Sequence, residues 1–99
     1  MIFIGVDPGK KGGIARIDES DNTLETWAMP LIGDNEYDLR SIKNIIQSAT
    51  QKASVNDVFG VIEKQHCMPG EGLPHTFTTG FGYGMLLGLF TALDVPYRI

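Results

Sequence analysis

The run from Ile2 to Val6 is apolar throughout, and it ends directly on a carboxylate, Asp7. A continuous apolar run with β-branched residues suits a strand covered on both faces. Gly9, Gly12 and Gly13 follow, and without side chains they let a backbone or a phosphate come close to the acid. The rest of the chain is arranged around this strand. Gly13 to Ile17 and Leu24 to Met29 read as the next two strands. The polar turn from Glu19 to Thr23 joins them, giving a meander of three antiparallel strands. A loop with Pro30, Gly33 and Asn35 then leads to a helix. There Leu39, Ile42, Ile45, Ile46, Ala49 and Ala53 recur at helical spacing and leave Arg40, Lys43, Gln47 and Lys52 outside. Asp34, Asn35 or Asp38 supplies its cap.

Val58 to Ile62 returns to strand character, with Glu63 directly after it. A Gly- and Pro-rich loop from His66 to His75 precedes a second helix from about Phe77 to Leu93, and Val95 to Ile99 reads as the last strand. The order β-β-β-α-β-α-β predicts an α/β fold: a mixed five-stranded sheet with helices on its faces, joined by right-handed parallel crossovers. Ninety-nine residues hold one small domain. Because the chain stops on its last strand, residues 1–99 are expected to be a single domain truncated before a C-terminal helix.

Bulk properties exclude some classes. No basic segment precedes an apolar stretch as in a signal peptide, and the run around Met85 to Leu93 is too short to span a bilayer. A membrane is therefore not an expected partner. The single cysteine rules out an internal disulfide framework and makes the cytoplasm the expected compartment. A net charge of −4 argues against nucleic acid only until its distribution is examined. Seven of the twelve acids lie between Asp18 and Asp38, where there is no Lys or Arg; five acids stand beside all eight bases elsewhere. That remaining surface tolerates a polyanion.

With these crossovers the first and fourth strands lie side by side and parallel. Asp7 and Glu63 then open on one edge, where α/β folds place ligands. Two neighbouring carboxylates repel unless a cation lies between them. Mg²⁺ takes hard oxygen ligands, keeps several waters and shares phosphate oxygens with its substrate; a pair of such ions activates water and stabilises the leaving oxygen of a phosphodiester. Lys10 and Lys11 in the turn beside Asp7, Lys64 beside Glu63, and Arg98 on the last strand are candidates for positioning a DNA backbone. His66 and Cys67 lack a second pair at ligand spacing, so no zinc site is expected. Gly80, Gly84 and Gly88 share one helical face, with Gly82 beside them. Each glycine inside a helix costs about 1 kcal/mol relative to alanine, so another helix or the sheet is expected to pack closely there.

"IGVDPGKKGGIARID" followed by "VIEKQ", then "MPGEG" and "TTGFGYGMLLGLFTALDVPYRI", resembles the RuvC-type Holliday-junction resolvases of the ribonuclease H-like superfamily, in particular their phage-type branch. The resemblance covers essentially the whole chain. It implies a ribonuclease H-like fold and Mg²⁺-dependent endonuclease activity on four-way or related branched DNA, with Mn²⁺ as an alternative ion. Asp7 and Glu63 become catalytic metal ligands, and Met68 or Phe77 engages the junction together with Lys10, Lys11 and Lys64. A homodimer acting in a bacterial or phage-infected cell is also implied. The family completes its site with two acids on a helix after the fifth strand, and this chain ends before that point. Asp94 precedes the fifth strand and reads as a helix-end residue. The expectation is a nuclease fold with half its active site, inactive as this chain alone. Two other readings stand beside it. One is a nucleotide-binding lobe of the actin-like or sugar-kinase type, whose phosphate turn normally offers Ser or Thr where Lys10, Lys11 and Gly12 stand. The other is a non-catalytic DNA-binding relic of the nuclease fold.

Overall fold

The structure, a computed structural model, describes residues 1–51, 53–64, 70 and 72–99, with His75 described by its backbone. Strand β1 (Ile2–Asp7) pairs antiparallel with β2 (Gly13–Asp18), and β2 pairs antiparallel with β3 (Thr23–Ala28). A two-stranded ribbon, β4 (Leu31–Ile32) and β5 (Glu36–Tyr37), leads into helix α1 (Leu39–Thr50). Strand β6 (Val58–Ile62) lies parallel to β1; helix α2 (Leu73–Ala92) then carries the chain to β7 (Tyr97–Arg98), parallel to β6. The five-stranded sheet runs β3-β2-β1-β6-β7, a mixed α/β sheet as the element order requires.

Alternation along the strands sends Ile2, Ile4 and Val6 to one face, where they meet Ile14, Val58 and Ile62. Ile42, Ile46 and Ala49 of α1, with Leu86 and Phe90 of α2, cover that face and complete the core. Asp38 is the cap of α1: its carboxylate accepts from the Ser41 backbone N–H at 3.1 Å and the Ser41 hydroxyl at 2.7 Å. At the other end Arg16 Nε donates to the Ala49 carbonyl at 3.1 Å, satisfying a helix-end acceptor from β2. Helix α2 starts four residues before the expected Phe77, because Pro74 is tolerated in a first turn, where its missing N–H has no partner to lose. It ends where Asp94 takes φ 57°.

Both helices lie on the same face of the sheet. Hydrophobic periodicity tells that a helix has an apolar side but not which sheet face that side meets. On the opposite face Leu24, Ile17, Phe3 and Phe59 form one register row across four strands. Leu24 is 64 % exposed and Ile17 46 %.

The glycines correct another expectation. A side chain on Gly80, Gly84 or Gly88 would meet nothing within 4 Å, so this face of α2 points outward. The close approaches belong to Gly82, where a Cβ would lie 2.5 Å from the Tyr37 hydroxyl, and to Gly60, where it would lie 2.6 Å from the Phe90 ring.

Candidate metal centre

The parallel register sets the geometry of the carboxylates. Val6 stands opposite Ile62, and the Glu63 backbone N–H donates to the Val6 carbonyl at 2.9 Å. Asp7 and Glu63 therefore leave the sheet as neighbours at the carboxyl ends of β1 and β6. Both are exposed. The Glu63 carboxyl is held above its ordinary 4.5, first by a hydrogen bond shared with the Asp7 carboxyl, then by the Asp7 charge, then by burial. By strand parity the two acids belong with Phe3, Gly5, Phe59 and Val61, on the face that neither described helix covers.

The turn after Asp7 is shaped by glycine. Gly9 has φ 112°, and the Gly12 N–H closes the turn onto the Gly9 carbonyl at 3.1 Å. A Cβ on Gly12 would run into the Asp7 carbonyl, and one on Gly13 would lie 2.8 Å from the Trp27 carbonyl. Tyr37 braces this turn from below. It is buried, which pushes its phenol above 10.0, while the Gly9 backbone N–H donates to its oxygen and pulls the other way. Nothing in the sequence pattern marked Tyr37. It is held in place by a ribbon of two-residue strands, too short for alternation to register.

A cleft of about 400 Å³ opens between the turn, Tyr37 and the start of α2, lined by Asp7, residues 8–12, Thr78 and Thr79. Lys10 and Lys11 line this cleft together with Asp7. Lys64 follows Glu63 and is exposed, outside the lining of the cleft. Phe77 lines a neighbouring cleft of about 380 Å³ that also holds Lys10 and Tyr37. Met68, His66 and Cys67 lie outside the described residues. Among the described residues no third His, Cys, Asp or Glu joins the pair. Two adjacent carboxylates, with water and phosphate oxygens beside them, are a donor set that suits a hard divalent cation such as Mg²⁺.

No family model and no curated protein matches the sequence. Solved structures do. RuvC of T. thermophilus in complex with a Holliday-junction substrate superposes with a TM-score of 0.60 at 14 % identity, covering 99 % of this chain and 64 % of that one. The fold is shared with RuvC. A second structure of Thermus thermophilus RuvC gives a TM-score of 0.52 at 16 % identity, covering 99 % of this chain and 62 % of its own. The mixed sheet with two helices is accordingly ribonuclease H-like, and the chain spans less than two thirds of the length of RuvC. Among the described residues no helix is long and apolar enough to cross a membrane.

Proposed function

We propose that the chain is the metal-binding half of a divalent-cation-dependent endonuclease that resolves four-way or related branched DNA, of the phage-type RuvC branch. The observation that carries this reading is the Asp7–Glu63 pair, side by side at the ends of parallel strands, with the Glu63 carboxyl raised by its neighbour. An acid held like this favours a cation between the two groups. Asp7 and Glu63 would hold Mg²⁺ or Mn²⁺, which when bound supplies Lewis-acid polarisation of a phosphodiester oxygen. Lys10 and Lys11, in the same cleft, hold the flanking phosphates and fix the strand's path without reading its sequence. Lys64 extends that contact past Glu63.

The remaining ligands of the site come, on this reading, from an element that packs on the open sheet face. The row Leu24–Ile17–Phe3–Phe59 is the apolar surface it would bury, and Asp7 and Glu63 stand at that face's rim. Without it the chain binds metal weakly and does not turn over.

A homodimer is part of this reading, and α2 supports it. Its twenty residues include no Asp, Glu, Lys or Arg, although Gly84 and Gly88 face outward. A helix apolar on all sides is normally buried on all sides, and a second copy on this face serves a two-fold symmetric junction.

The experiment is a mobility-shift comparison of a four-way junction with a linear duplex of the same arms, in Mg²⁺ and in EDTA. The reading predicts tighter binding to the junction, no cleavage by this chain, and a Mg²⁺ dependence removed by Asp7→Asn. Equal binding to junction and duplex would refute it. Tight ATP binding in the glycine-turn cleft would favour the kinase-like lobe instead.

A further inference from the structure

The five-stranded sheet ends on β3 at one side and on β7 at the other. A sheet edge carries a row of unpaired backbone N–H and C=O groups, and native proteins blunt it with short strands, Lys, Pro or a bulge. Strand β7 is blunted: it has two residues, and one of them is Arg98. Strand β3 has six, Thr-Leu-Glu-Thr-Trp-Ala, with no Lys and no Pro. Its register with β2 runs unbroken through six pairs, so no bulge turns it away. All of its residues except Trp27 are exposed, and among the described residues no element pairs with its outer side.

The ladder tells which backbone groups face outward. The Met29 N–H donates to the Gly12 carbonyl at 3.1 Å, one rung past the last strand pair. Antiparallel pairing alternates, so Trp27, Glu25 and Thr23 turn their backbone groups toward β2, while Ala28, Thr26 and Leu24 turn theirs outward. The side chains add a pattern to this row. Leu24 ends the apolar row on the open sheet face. Glu25 and Trp27 belong to the other face and line a cleft of about 300 Å³ against the end of α1. The Glu25 side chain is 58 % exposed even though it reaches Arg16 at 3.6 Å.

Charge narrows what fits there. Glu19 and Asp21 stand in the turn before β3, Asp34 and Glu36 follow it, and no Lys or Arg lies between Asp18 and Asp38. A DNA strand is repelled from such an edge. A second copy would bring the same acids against these, and like charges opposed across strands destabilise the pair. The complement is an extended segment of another protein whose side chains alternate, apolar beside Leu24 and basic beside Glu25.

We infer that the outer edge of β3 takes such a basic, extended segment as an added strand, held by the backbone groups of Leu24, Thr26 and Ala28. Strand β3 lies two strands from β1, about 10 Å across the sheet, so this contact is separate from the Asp7–Glu63 pair.

The test uses the 99-residue chain, its Thr26→Pro and Glu25→Gln variants, and two ten-residue peptides alternating valine with lysine or valine with glutamate. Proline at an outward-facing edge position removes one free N–H and leaves the ladder to β2 intact; circular dichroism checks the fold of each variant. Two readouts report on β3 itself: amide hydrogen exchange by NMR, and the fluorescence of Trp27, the single tryptophan of the chain. In the free chain the Leu24, Thr26 and Ala28 amides should exchange faster than those of Glu25 and Trp27. The lysine peptide should slow these three amides and shift the Trp27 emission; the glutamate peptide should do neither. Thr26→Pro should weaken lysine-peptide binding by about two- to twelve-fold through one lost hydrogen bond. Glu25→Gln should weaken it by about 1.4- to five-fold through one lost cross-strand charge pair. Three amides already slow in the dilute free chain would overturn the inference, because the edge would then be covered from within. Slowing that grows with chain concentration, without peptide, would assign the edge to a second copy and overturn it too. So would lysine-peptide binding that leaves the three amides unchanged, equal binding of both peptides, or no binding of either.

Discussion

Asp7 and Glu63 stand at adjacent register positions, and Asp7 raises the Glu63 carboxyl above its ordinary 4.5. The sign of the consequence follows from proton linkage. The folded chain binds a proton at Glu63 more readily than the unfolded chain, so stability falls as pH rises through this carboxyl's raised pKa and levels off above it. In the absence of divalent ions Glu63→Gln should therefore melt at a higher temperature than the unaltered chain near neutral pH, with the difference vanishing well below pH 4.5. Added Mg²⁺ should narrow the gap by stabilising only the unaltered chain. A lower Tm for Glu63→Gln at neutral pH would mean that the two carboxylates do not repel. This pair was legible in the sequence because each acid directly follows an apolar strand, and parallel pairing of those strands leaves the acids little choice of position. Tyr37 was not legible. Its role depends on a phenol reaching the Gly9 backbone and the surface of Gly82, two segments far apart in the chain.

The elements divide in the same way. Strand β6 falls at the residues its apolar run marks, and α1 starts at Leu39 after an aspartate able to cap it. Both are local signals. Which glycines pack is not local, since spacing relates Gly80, Gly84 and Gly88 to one another but not to the sheet. The packing glycine in β6, Gly60, faces Phe90, a ring with no exposed surface and so no room to move. Gly60→Ala should cost about 1–3 kcal/mol by overpacking, or a Tm lower by about 4–20 °C for a domain of this size. Gly84→Ala, on the open face of α2, should gain about 1 kcal/mol from helix propensity. Thermal melts of both variants at a concentration where the chain is monomeric check the contrast. Two variants destabilised alike would show that α2 is rotated from the orientation described.

Over the whole molecule the asymmetry of the sheet matters most. One face is closed by α1 and α2, and the other leaves Leu24 and Ile17 in water with the carboxylates at its rim. Sequence order led to the five strands and two helices, yet the side of the sheet they cover was settled only by long-range packing. The carboxylates stand at the rim of that face, so whatever covers it also borders the Asp7–Glu63 pair. The account as a whole depends on a shared grip: one divalent ion between a β1 side chain and a β6 side chain. Paramagnetic broadening by Mn²⁺ in ¹⁵N-resolved spectra reads this directly. Backbone signals of Gly5 to Gly9 and of Ile62 to Lys64 should broaden together at the same Mn²⁺ concentration, and both sets should recover in Asp7→Asn and in Glu63→Gln. Broadening confined to one strand end, or centred on the acidic stretch from Asp18 to Asp38, would contradict it.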